Sequence, residues 1–166
     1  KMNFSLIFEV VVVGVFACII FDLWQRIFQS LTSIPPSNWS MVGRWFLNLL
    51  NKQVLFVSDL NNVPKFENET IAGWSLHYSI AVGYSSVYMI LNKFNLLGVG
   101  PIDGMIFGII SVVVPWFFFL PALGNGVLGR LTPKPILVCS LALMMHTIFG
   151  MSIGTGYLVF DLVGWE

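Results

Sequence analysis

Asp22, His77 and His146 are the side chains whose types and settings in this sequence could do chemistry. Each interrupts an apolar run: "CIIFDLWQRIF" surrounds Asp22, "GWSLHYSI" His77 and "SLALMMHTIFG" His146. A carboxylate and two imidazoles are ligand types for iron or zinc. The same groups can relay a proton, because imidazole titrates near neutral pH. An aspartate in hydrocarbon costs roughly 3 kcal/mol on insertion scales, and such groups more often mark function than decoration. A plainer reading stands beside this one. Asp22 can pair with Arg26 one helical turn on and reach the interface. Each imidazole can stay neutral, held by a backbone carbonyl or by Tyr84 or Tyr88, as polar residues between packed membrane helices often are. No pair is spaced as in HExxH, and a haem held by His77 and His146 needs both rings at one depth on facing helices.

The elements that must position these residues follow from composition. The chain is 57% hydrophobic and 10% charged, with no net charge, against roughly 25% charged in a soluble domain. A soluble domain this apolar would expose too much greasy surface, and balanced charge removes the electrostatic case for nucleic acid. The expectation is an all-α integral membrane protein. Cys18 and Cys139 both fall in apolar runs, where a thiol behaves as a small hydrophobe, and neither a disulfide framework nor a CxxC pair is indicated. No cofactor is identified by motif.

Four segments reach the roughly twenty apolar residues of a bilayer span: about 4–28, 70–91, 102–123 and 135–162. The first reads as a retained span, because its apolar region is too long for a signal peptide and no small-x-small cleavage site follows it. The first loop opens with "SIPPSN", a helix stop with a cap at Ser37 or Asn38. A helix over about 38–53 then places Trp39, Val42, Trp45, Phe46, Leu49 and Leu50 on one side, with Arg44, Asn48, Asn51 and Lys52 opposite. That is the pattern of an amphipathic interfacial helix anchored by Trp39, Arg44 and Trp45, or of a helix packed over the end of a bundle. "SDLNNVPKFENE" reads as irregular loop. Arg26, Arg44, Lys52 and Lys65 flank or lie in loop one, and Arg130 and Lys134 lie in loop three; the other side has Lys93 and Lys1. The positive-inside rule therefore puts loops one and three in the cytoplasm and the termini outside. The sequons at Asn38 and Asn68 would go unused there.

Helical stepping sorts the faces. Ala142, His146, Gly150, Gly154, Tyr157 and Asp161 form one small and polar stripe on the fourth span, and Gly100, Gly104 and Gly108 form a glycine zipper entering the third. Gly73, His77, Tyr84 and Tyr88 mark the second span; Gly14, Cys18, Asp22 and Arg26 mark the first. Pro115 and Pro121 should bend the third span and release carbonyls. At about 1.5 Å rise per residue, Asp22, His77 and His146 lie about 9, 10 and 15 Å from the loop-one side, in one half of the membrane. Glu9, Asp103 and Asp161 belong to the other half or its edge. Clustering of Asp22, His77 and His146 is the central functional expectation.

"FDLWQRIF", "NWSMVGRW", "GWSLHYSI", "PALGNG", "TPKP" and "HTIFG" occur in this order. Together they resemble a family of small bacterial four-span membrane proteins catalogued as a domain of unknown function, over nearly the whole chain. The "NW..VGRW" and "PALG.G" pieces are the most specific. The positions matching its pattern are Asp22, Asn38, Trp39, Gly43, Arg44, Trp45, His77, Pro121, Gly124, Pro133, His146 and Gly150. The resemblance implies a fold and a bacterial inner-membrane location; it implies no activity, substrate or catalytic residue. The expected architecture is a compact bundle of four transmembrane helices with an interfacial helix in the first loop. Three functional readings follow: a small transporter or accessory membrane subunit partnered by lipid, by its own copies or by a larger complex; a metal or haem protein using Asp22, His77 and His146; and a lipid-directed membrane enzyme near Arg44, which lacks a nucleophile–base spacing.

Overall fold

Helices rich in β-branched and aromatic residues are favoured where no water competes for the backbone, since lipid forces each N–H and C=O to be satisfied internally. The computed structural model of the chain describes residues 4–164, and among the described residues the regular structure is helical, with no strand. Lys1 lies outside the described residues. Helix α1 is Phe4–Thr32. It continues past Phe28 until Ser33 takes a positive φ of 60° and donates its N–H to the Gln29 carbonyl at 2.8 Å; Pro35 and Pro36 then prevent continuation. Helix α2 is Trp39–Lys52, begun by Asn38, whose side chain accepts from the Met41 N–H at 3.2 Å, and closed by left-handed Gln53. Helix α3 is Glu69–Lys93, helix α4 Pro101–Ala122 and helix α5 Pro135–Val163.

Three of these helices, α1, α4 and α5, are long and apolar enough to cross a membrane. Helix α3 falls short of that measure despite its 25 residues, because Ser75, His77, Ser79, Ser85 and Ser86 dilute its apolar content. Within α4 the regular α-helix of Pro101–Ser111 gives way to a π-helical turn at Pro115–Phe119. Pro115 lacks an N–H, and the Leu120 N–H reaches back five residues to the Pro115 carbonyl.

The chain divides into two compact units. The first comprises Lys1–Pro36, Tyr78–Ile110 and Met145–Glu166; the second comprises Ser37–His77 and Ser111–Met144.

In the first unit α1, α3, α4 and α5 approach closely wherever side chains vanish. Gly104 sits against the Gly150 carbonyl, Gly108 against the His146 carbonyl and Gly154 against the Gly100 carbonyl, so backbone meets backbone along α4 and α5. The Gly100 N–H donates to the Gly154 carbonyl at 2.9 Å. Gly14 brings α1 onto α3 in the same way, with a would-be Cβ 2.8 Å from the Val82 Cα. The core holds Val13, Ala17, Cys18, Ala81, Tyr88, Phe107, Phe149, Ile153 and Tyr157. Tyr88 and Tyr157 stack with centroids 5.5 Å apart. Tyr157 donates to the Ser85 carbonyl at 2.9 Å and accepts from Ser85 Oγ at 2.8 Å, which closes that pair on itself.

In the second unit the core is Trp45, Val57, Leu60 and Ala122. Trp45 donates its indole N–H to the Leu55 carbonyl at 2.8 Å, and the Val57 N–H reaches the Ala122 carbonyl at 3.1 Å. Gly124, at φ 83°, lets that chain run close to the carbonyls of Val57 and Ser58, each of which would stand 2.9 Å from a Cβ added there.

Candidate functional site

The site grows from the face of α1 that presents Gly14, Cys18 and Asp22 at four-residue spacing. Gly14 lets the backbone of α3 approach this face, which leaves Cys18 fully buried and Asp22 half-buried. Tyr78 of α3 donates its phenol hydrogen to Asp22 Oδ2 at 3.2 Å. Asp22 thus takes a partner from another helix, while Arg26, one turn along α1, is exposed. His77 immediately precedes Tyr78 on the same unbroken helix. It is buried, and its ring stacks on Trp39 with centroids 3.7 Å apart and meets Trp74 edge-on at 5.8 Å. Those indoles restrict the imidazole to a narrow range of orientations.

His146 lies on α5. Its half-buried ring meets Tyr84 edge-on at 5.7 Å and Phe149 at 6.4 Å. Sequence reasoning passed over Cys18 as an apolar filler, although its position four residues before Asp22 was the available signal. A thiol and a carboxylate on one face of α1 and an imidazole on α3 are groups that bind metal cations or exchange protons. Nucleophilic catalysis is a poor fit, because a sulfur with no exposed surface cannot meet a substrate.

The second unit carries a separate polar feature. The Nε and a terminal nitrogen of Arg44 donate to the two carboxylate oxygens of Glu69, each at 2.8 Å, a forked geometry that is the strongest form of this pair. Glu69 also accepts the Phe66 N–H at 3.2 Å. The hydrogen bonds from Arg44 hold the Glu69 carboxyl below the usual range, and the same bonds raise the Arg44 guanidinium. Gly43 and Gly73 make this possible. A Cβ on Gly43 would overlap the Glu69 carbonyl, and one on Gly73 would overlap the Trp39 carbonyl. Ser40 and Thr70 hydroxyls meet at 2.8 Å along the same contact. Arg44 and Asn48, which the pattern sets on the polar side of α2, are buried, and Leu50 of the apolar side is 61% exposed. Glu69 supplies Arg44 with a charge partner inside the protein, while Asn51 and Lys52 of the same side stay exposed. Of the expected anchors, Arg44 is bound to Glu69, Trp45 lies in the core and Trp39 lies on His77.

Neither the curated proteins nor the solved structures hold a match to the chain. One family matches residues 11–159, a stretch that includes α2, α3, α4, Asp22, His77 and His146, and through it the chain belongs to the family described as Protein of unknown function (DUF2938).

Proposed function

We propose that the chain is a multi-pass integral membrane protein of the bacterial inner membrane, acting as a small transporter or as an accessory subunit of a membrane complex. In this reading α3 is a fourth crossing, α2 lies at the cytoplasmic interface, and loops one and three face the cytoplasm. The observation that carries it is an inverted distribution of polarity. Ile7, Phe16, Leu23, Ile106, Phe117, Val159 and Leu162 are exposed on α1, α4 and α5, whereas Ser85, Tyr88, His77 and Tyr157 are buried. A soluble protein carries its polar groups outside; a protein solvated by lipid has no use for them there. Of the buried polar groups, His77, Ser85 and Tyr88 lie on α3, which suits a helix that packs one face against its neighbours.

Two measurements test the reading. Single cysteines at Lys65 and Lys93, in a chain lacking Cys18 and Cys139, should label from opposite sides of sealed membranes; labelling from one side would remove α3 as a crossing. In proteoliposomes, proton flux should fall at least tenfold in Asp22→Asn and His77→Gln. Flux indifferent to both, in protein that is folded and correctly inserted, would reject the transporter and leave the subunit.

A further inference from the structure

We infer that the second compact unit presents a surface for anionic phospholipid headgroups, built from the connections that follow α2 and precede α5. The inference rests on the membrane reading above and names the lipid class that this part of the chain meets. The first observation is apolar surface outside the spanning helices. Val54 and Phe56 lie in the irregular stretch between α2 and the short turn at Leu60–Asn62, and Leu128 and Leu131 lie in the connection that leads to α5. Connections usually run over the surface with polar side chains outward, yet Phe56 is 57% exposed and Leu131 68%. Leu50 near the end of α2 and Ile136 in the first turn of α5 continue the exposure at its borders. The two connections are held together. The Val57 N–H donates to the Ala122 carbonyl at 3.1 Å, the Leu131 N–H donates to the Asn125 carbonyl at 3.0 Å, and the Phe56 ring meets Phe118 edge-on at 6.4 Å. These apolar side chains therefore stand on one supported region.

Charge says what covers them. Lys52, Arg130 and Lys134 each stand next to or one residue away from Gln53-Val54, Leu131 or Pro135-Ile136 in the sequence, and Lys65 follows in the first connection; all four are exposed. The unit holds five cations and three acids, whereas the first unit holds three cations and five acids. Arg44 and Glu69 neutralise each other inside it. The remaining carboxylates are Asp59 and Glu67, and both oxygens of Asp59 already accept hydrogen bonds from Asn61 and Asn62. Four exposed cations thus face two exposed acids. Apolar side chains interleaved with lysine and arginine are the pattern that binds an anionic bilayer surface: the apolar groups enter the acyl boundary and the long cationic stems reach the phosphates. Continuity with the spans points the same way. Phe118 belongs to α4 and Ile136 to α5, both apolar enough to cross a membrane, so on the membrane reading this surface lies at headgroup level. Each cation so placed contributes roughly fivefold in affinity for an anionic leaflet.

Spin-labelled lipids are the probe. The full-length chain would be reconstituted into phosphatidylcholine vesicles carrying a trace of spin-labelled phosphatidylglycerol or spin-labelled phosphatidylcholine. The motionally restricted fraction of each label gives the relative association of the two lipids with the protein. The expected result is a preference for phosphatidylglycerol of about fivefold or more in low salt, lost at about 1 M salt, where the Debye length is near 3 Å. Arg130→Gln with Lys134→Gln should remove most of the preference, and Lys93→Gln in the first unit none of it. The salt series uses the wild-type chain, so it decides the matter even if the double variant fails to fold. Phe56→Cys in a Cys139→Ser background, with Cys18 left in place because it has no exposed surface, would carry a nitroxide. That label should be relaxed by lipid-dissolved oxygen more than by an aqueous nickel chelate. A label shielded from both would assign the surface to a second copy or another protein. A preference abolished by millimolar glycerol phosphate would assign it to a soluble phosphate ligand, and equal association of the two lipids in low salt would mean no headgroup recognition. Each of these three results overturns the inference while leaving the chain in the bilayer; release of the chain from vesicles by alkaline wash would overturn the membrane reading with it.

Discussion

Replacing Gly150 by alanine should separate α4 from α5, and the size of the effect follows from the geometry. The added Cβ would stand 2.6 Å from both the Cα and the nitrogen of Gly108 and would overlap the Gly104 carbonyl. All three obstacles are backbone, so no rotamer change relieves them. Carbon atoms rest at about 3.5 Å or more, so the axes must part by roughly 1 Å. A gap of that size forfeits a quarter to a half of each dispersion contact; on the order of thirty atom pairs at about 0.15 kcal/mol each then lose about 2 kcal/mol. The Gly100 N–H to Gly154 carbonyl bond, now 2.9 Å, stretches out of range at a further cost of about 1 kcal/mol. Gly83→Ala supplies the control, since nothing lies within 4 Å of a Cβ there and the exchange should stabilise the helix by roughly 0.5 to 1 kcal/mol. Reversible unfolding in mixed micelles with increasing dodecyl sulfate would read both. The same helical gain enters at Gly150, so the two variants should differ by about 3 kcal/mol, a factor of more than a hundred in the folding equilibrium. If Gly150→Ala matches wild type, or Gly83→Ala is equally damaging, close backbone approach is not what holds α4 to α5.

Gly43→Ala should be worse tolerated than Gly150→Ala, because its Cβ would also lie 2.5 Å from the Gly73 nitrogen and would push Arg44 off Glu69; loss of more than 3 kcal/mol by the same unfolding assay is expected, and a neutral result would refute the close crossing of α2 with α3. The Arg44–Glu69 pair should give an acid transition. The folded-state pKa of Glu69 is depressed, so its contribution is complete above the ordinary carboxylate range and is lost as pH falls through the depressed value; Arg44, raised, stays charged throughout. Unfolding midpoints measured from pH 7 down to about 3 should therefore decline in wild type and decline less in Glu69→Gln, and parallel profiles would contradict the assignment. Trp45→Phe keeps the ring in its cluster and removes the donor to the Leu55 carbonyl, which should cost about 1 kcal/mol; a larger loss would mean that ring shape, not the bond, matters most.

Much of the fold is visible in apolar run lengths alone. The five helices stand close to the expected ranges because lipid-length runs, "SIPPSN" and the Asn38 cap are local signals. Other features depend on partners distant in sequence. Helix α2 turns Arg44 and Asn48 inward because Glu69, 25 residues beyond Arg44, accepts the guanidinium; no periodicity within α2 contains that fact. The π-helical turn at Pro115–Phe119 gives the irregularity expected at Pro115 a form that the sequence does not specify, since proline removes a donor without selecting how the next carbonyls are used. At the candidate site, Asp22 and His77 stand out as polar residues in apolar runs, but Cys18 looks like any small apolar residue. Depth counting groups His146 with Asp22 and His77 by height along the membrane and carries no information about direction around the helix. The ring of His146 points toward Tyr84 and Phe149.

The limited apolarity of α3 is itself informative. A helix that lipid surrounds must be apolar on every face, but a helix enclosed by others needs only to match them. Helix α3 meets α1 through Gly14 and Val82, and α5 through Ser85 and Tyr157. Tyr78 and Tyr88 find acceptors in Asp22 and in the Gly98 carbonyl. Every one of these contacts is polar or backbone in kind, and each would be costly to leave unmade in hydrocarbon. The apolar exterior of α1, α4 and α5 can therefore vary without disturbing the interior, whereas a change at Ser85 or Tyr88 of α3 falls in the core.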